Sequence, residues 1–182
     1  MENLPMGFWD KGNYQWTLDE HGRSTLGLKR IQNGSVYALR GYWRGKYTGY
    51  ISSGANSGWC RQIYDDSNST DTGSQRSQFK FMVHDSDLDQ WTIMNVNSGK
   101  RKDTWLSYGK CKERDGKSVG LFKKQSDAAI WTLIPTDKPM YYKIKCYYRD
   151  AFKGWLSYQY DGKWNMLYKK ESDACVYFLK DL

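Results

Sequence analysis

The sequence predicts an all-β fold assembled from three copies of one four-stranded unit, and three observations lead there. The stretch "DGKSVGLFKKQSDA" (residues 115–128) returns as "DGKWNMLYKKESDA" (residues 161–174), with nine of fourteen positions identical and Phe122 matched by Tyr168. A shared pattern lies upstream: "TWLSY" (104–108), "GWLSY" (154–158) and, more loosely, "TGYISS" (48–53). Finally, alternation of period two, as in "YYKIKCYY" (141–148), marks strands with one buried face, and no stretch follows the helical period. Composition agrees, since aromatic residues suit a pleated surface and this chain is 16% aromatic, with nine Trp and fifteen Tyr.

Each unit opens on an aromatic-x-aliphatic triplet: Tyr37-Ala38-Leu39, Trp91-Thr92-Ile93 and Tyr142-Lys143-Ile144. The "LSY"-type segments form the second strands. Asp115-Gly116 and Asp161-Gly162 then read as hairpin turns, whose positive φ glycine tolerates. In unit one Gly58 takes that place, followed by Ile63-Tyr64 where the others have Leu121-Phe122 and Leu167-Tyr168. Ser126-Asp127-Ala128 and Ser172-Asp173-Ala174 read as turns held by side-chain bonds to backbone N–H groups. Fourth strands follow at 78–83, 129–134 and 175–179. The polar run 65–77 is a loop inserted before the last strand of unit one, and 84–90 ("HDSDLDQ") is a solvated linker between units one and two.

Features that recur in every unit are scaffold, because each layer of a threefold core needs one apolar contributor per unit. The expected core is therefore Leu39, Ile51, Phe81, Ile93, Leu106, Leu121, Trp131, Ile144, Leu156, Leu167 and Tyr177. Residues 1–36 stand outside the scheme as an N-terminal extension, a hairpin turning at His21-Gly22 that packs on the barrel or on a partner. The repeats run at about 37–86, 87–137 and 138–182.

Three fifty-residue units of four strands resemble the β-trefoil, and the resemblance covers residues 37–182. It implies a six-stranded barrel capped by three hairpins. The order aromatic-Leu-Ser, Gly, Leu-aromatic, Ser-Asp-Ala-x-x-aromatic is similar to the agglutinin and fascin-like branches. The Gln-x-Trp signature of the ricin-type branch is absent.

Catalysis is not expected. Neither His21 nor His84 belongs to a nucleophile motif, and no phosphate-binding or metalloprotease motif occurs. Four scattered cysteines make no metal site, so neither a metal nor a cofactor is expected. The opening residues lack the apolar run of an export signal, which reads as a cytoplasmic protein or one released without a signal peptide.

The resemblance and the surface chemistry together lead to a carbohydrate-binding protein, a β-trefoil lectin whose sites pair an aromatic ring with amide, carboxylate or cationic groups. The candidates are Tyr158, Tyr160, Asp161, Trp164 and Asn165 in unit three, Tyr108, Lys110, Asp115 and Lys117 in unit two, and Tyr47, Asn56, Trp59 and Arg61 in unit one. Trp164 carries most weight, because its counterparts by sequence are Ser118 and Cys60 and the repeat does not explain it.

Expected partners are glycans or glycoconjugates. The net charge of +8 also admits an anionic polysaccharide, through Lys110, Lys112, Arg114, Lys117, Lys123, Lys124, Lys169 and Lys170. Nucleic acid is disfavoured, no segment spans a membrane, and a homodimer is compatible with the reading. The alternative is a protein-interaction module: a protease inhibitor presenting loop 65–77, or a cytoskeletal binder.

Overall fold

The computed structural model describes residues 14–18, 21–22, 24–28, 30–53, 59–63, 77–96, 102–110, 117–159 and 164–182. Strands β1 (Tyr14–Leu18) and β2 (Ser24–Leu28) pair as a separate antiparallel hairpin, with Tyr14 opposite Leu28. His21 and Gly22 lie in the connecting segment, where Gly22 supplies a φ of 73°. Every other strand belongs to one twelve-stranded sheet.

That sheet contains the three expected units. Unit one is β3 (Val36–Trp43), β4 (Lys46–Ser53), β5 (Cys60–Ile63) and β6 (Phe79–Asp85). Unit two is β7 (Gln90–Asn95), β8 (Thr104–Lys110), β9 (Lys117–Phe122) and β10 (Ile130–Pro135). Unit three is β11 (Tyr141–Tyr148), β12 (Ala151–Gln159), β13 (Trp164–Tyr168) and β14 (Val176–Asp181). First and fourth strands alternate around a closed ring: β3 pairs β6, β6 pairs β7, β7 pairs β10, β10 pairs β11, β11 pairs β14, and β14 returns to β3. A six-stranded barrel results, with no open edge for another chain to pair with.

Register stacks the barrel interior into threefold layers. In the central layer Leu39 lies opposite Leu179, Phe81 opposite Ile93, and Leu133 opposite Ile144, all buried. One step toward the cap each unit contributes an aromatic ring facing a smaller residue: Tyr177 with Gly41, Phe79 with Asn95, and Trp131 with Cys146. Pairing large with small fills the layer at native density. One step the other way come Tyr37, Trp91 and Tyr142, three rings that close the barrel mouth. All eleven residues expected in the core are buried.

The structure refines several local expectations. The Ser-Asp-Ala segments are 3-10 turns, Gln125–Asp127 and Glu171–Asp173, closed by backbone bonds rather than side chains. Ala128 N–H donates to the Gln125 carbonyl at 3.0 Å, and Ala174 N–H to the Glu171 carbonyl at 2.9 Å. Residues 84–90 join units one and two as a tight, largely exposed turn: β6 runs through Asp85, whose carboxylate accepts the N–H groups of Asp87 and Leu88 and so leads the chain into β7.

In unit one, register sets Gln62-Ile63 against Ile51-Tyr50, the place of Leu121-Phe122 and Leu167-Tyr168. The expected Ile63-Tyr64 was one residue late. Barrel contacts also begin before residue 37, because Gly34 N–H donates to the Phe81 carbonyl at 2.7 Å and Phe81 N–H to the Ser35 carbonyl at 3.0 Å. The Asp-Gly turns at 115–116 and 161–162 and loop 65–76 lie outside the described residues.

Gly154 is held at φ 137°, and a Cβ there would meet Leu167 Cβ and the Tyr168 carbonyl oxygen at 2.9 Å. Gly154→Ala should therefore lower stability by about 2 kcal/mol or more, read as a drop in urea midpoint. Burial raises the Tyr177 hydroxyl well above its usual value, and burial followed by the Asp89 charge pushes Tyr142 up to about 12. Unfolded tyrosines release their protons near pH 10 while these folded ones keep them. Stability should be level below about pH 10 and fall as pH rises toward 12, which urea melts at pH 8 and pH 11 would record.

Candidate functional site

Three hairpins, β4–β5, β8–β9 and β12–β13, cover one end of the barrel and meet in a triangle of inter-unit pairings. Trp59 bridges Gly120, Ser118 pairs Met166, and Trp164 pairs Arg61. Each position thus meets the residue two steps along in another unit, and the cycle closes from one to two to three and back to one. Trp164 is equivalent to Ser118 and Trp59, not to Cys60. It occupies a threefold scaffold position, half-buried between Gln159 on its own hairpin and Arg61 on unit one.

Trp59 shows what such a residue does. Its six-membered ring lies over Gly109, where a Cβ would come within 3.1 Å of the ring and 3.2 Å of Phe122. Glycine at 109 makes room for the indole.

The other candidates divide by depth. Asn165 is fully buried and donates its side-chain N–H to the Ser157 carbonyl at 3.3 Å, so it faces the barrel and not a surface ligand. It also acts on the buried Tyr177 hydroxyl, opposing the upward push from burial and Cys175. Tyr158 packs against the core, and its carbonyl accepts the Tyr168 hydroxyl at 3.3 Å. Burial comes first among the causes that raise Tyr168.

Tyr108 meets Tyr148 edge to face at 5.3 Å, with Lys153 Nζ 4.8 Å from its ring centroid. Tyr47 carries the Arg40 guanidinium at 4.7 Å and joins Tyr42 and Tyr50 in an aromatic row. Lys110 and Lys117 are opposite one another in β8 and β9, and Arg61 opposes Ser52. Asn56, Asp115, Tyr160 and Asp161 lie outside the described residues, as do Lys112 and Arg114. Lys123, Lys124, Lys169 and Lys170 are exposed on the strand-to-turn junctions. Among the described candidates, the inter-unit pairings bring Trp59, Arg61 and Trp164 together at the cap.

Among the described residues, no group of His, Cys, Asp and Glu could hold a metal, and no helix is long and apolar enough to cross a membrane. No family model and no curated protein matches the chain.

Solved structures do. The chain is similar to the double-headed arrowhead protease inhibitor A in complex with two trypsins, at 11% identity and a TM-score of 0.57, covering 90% of this chain and 98% of that one. It is also similar to a trypsin inhibitor from soybean, at 13% identity and a TM-score of 0.48, covering 92% and 99%. The chain is a β-trefoil. The lectin reading is overturned, together with its agglutinin branch and its glycan and polysaccharide partners, because the arrowhead protein, similar over nearly its whole length, is a protease inhibitor in complex with two trypsins. The non-enzyme reading of the sequence agrees with them.

The cap geometry generates a coupling test. Gly109→Ala should destabilise by about 1–2 kcal/mol in the native chain, because the indole of Trp59 must give way. In a Trp59→Ser background the same change should cost less by at least about 0.5 kcal/mol, since the serine found in unit two leaves space. Chemical denaturation of the four proteins checks it. Equal costs in both backgrounds would place the indole elsewhere.

Proposed function

We propose that this β-trefoil is a protein-binding inhibitor of serine endopeptidases of the trypsin class. The observation that carries the reading is the whole-length similarity of its fold to the double-headed arrowhead inhibitor in complex with two trypsins. A second feature supports it. The long polar loop between β5 and β6 contains Arg76 immediately before Ser77, which is buried, and Phe79 at the head of β6 is buried too. Trypsin takes a basic side chain into its specificity pocket. Arg76, one position before buried Ser77 in the sequence, is the basic residue we assign to such a pocket. No cofactor or catalytic group is needed for this role, because an inhibitor binds without turning over.

Titrating trypsin with the chain while following cleavage of a small chromogenic substrate tests the reading. Stoichiometric, competitive loss of activity is expected, and Arg76→Ala should weaken it at least about 100-fold with no change in melting temperature. A chain that leaves trypsin, chymotrypsin and elastase fully active at high excess would overturn the function. An Arg76→Ala variant as potent as the parent would move the contact to another loop.

A further inference from the structure

The barrel end opposite the cap holds a cavity of about 760 Å³, within the range of pockets that take small organic ligands. Its lining includes Trp91 and Tyr142, two of the three rings that close the barrel, with Ile31, Met140 and Tyr141 among its other lining residues. Asp89 also lines it, at the end of the tight β6–β7 turn.

Asp89 is held by both of its ends. Its carbonyl accepts Leu133 N–H at 3.1 Å, and its carboxylate accepts the Trp91 indole N–H at 2.7 Å. A carboxylate has about four acceptor positions, so one indole bond leaves most of them open. Among the described residues no lysine or arginine makes an ion pair with it. The cations of the lining, Arg30 and Lys138, are both exposed, and Lys138 Nζ stands 5.7 Å from the Tyr141 ring centroid. Asp89 is thus a half-buried carboxylate among aromatic rings, in a cavity it shares with Arg30 and Lys138 and without a direct ion pair among the described residues. Such a setting attracts an ammonium group, through the carboxylate and the negative ring faces together.

We infer that the barrel-mouth cavity is a binding site for a small aromatic amine, its ammonium on the Asp89 carboxylate and its ring against Trp91 and Tyr142. The Asp89 charge contributes to the raised value of Tyr142 after burial, and Arg30 opposes it, so both charges lie near the phenol. The inference does not rest on the proposed protease contact.

Tryptamine, neutral 3-ethylindole and anionic indole-3-propionate share one ring and differ in charge, so calorimetric titration of the intact chain with all three isolates the ammonium term. Tryptamine should bind at least about tenfold more tightly than either analogue and shift the Trp91 indole N–H resonance. Asp89→Asn keeps an oxygen acceptor for Trp91 and hence the turn, and it should erase the preference for the amine while leaving the melting temperature unchanged. Equal affinity for the three compounds, no binding of tryptamine, or an amine preference that survives Asp89→Asn would each overturn the assignment.

Discussion

Everything above the barrel depends on the closed cycle of pairings at the cap, in which each hairpin must meet another unit and the third must find the first. Closure fixes the sizes of the residues involved. Trp59 overlies Gly109, whereas Ser118, at the equivalent place, has its hydroxyl 3.8 Å from Met166 Sδ. In sequence, Gly54 stands as far from Ile51 as Gly109 from Leu106, and the matching residue after Leu156 is Gln159. Where Trp59 meets Gly109, a large residue is matched with glycine, a complementarity that lets unequal hairpins share one threefold frame.

The barrel was readable because its signal is repeated and strictly apolar. Leu39, Ile93 and Ile144 recur at one place in three units, and only burial explains why. The cap was less readable for a specific reason. Unit one places polar Gln62 where the others have leucine, so an alignment seeking an aliphatic-aromatic pair slides forward to Ile63-Tyr64 and matches Trp164 to Cys60 instead of Trp59. That one-residue slip made Trp164 look unexplained, when two of the three units carry the same residue type. The match of Gly109 to Gly54 was the signal in the sequence that could have corrected it.

Misreading function followed from the same slip. An aromatic ring beside amide and charged groups describes a sugar site, but it equally describes a cap where rings fill gaps and amides satisfy buried carbonyls, as Asn165 does for Ser157. Residue types cannot separate the two, because the difference is exposure, and exposure is set by which hairpin lies over which. A protein-binding role asks less of the scaffold. It needs only that loops leave a rigid frame at fixed points, and the frame here ends the inserted loop on buried Ser77.

The two ends of the barrel are closed by different physics, and this explains where chemistry is left over. At the cap, backbone pairing between units satisfies the strands directly. At the mouth the β6–β7 and β10–β11 turns border the opening, and the barrel ends on the rings of Tyr37, Trp91 and Tyr142, each with a polar atom that needs a partner. The Tyr37 hydroxyl accepts Gln32 N–H at 2.8 Å, and the Trp91 indole donates to Asp89. The segment before β3 and the turn after β6 are therefore drawn across the opening by the needs of those rings. A carboxylate recruited to satisfy an indole brings a full charge for a single neutral donor, and that surplus is what the mouth offers to a ligand.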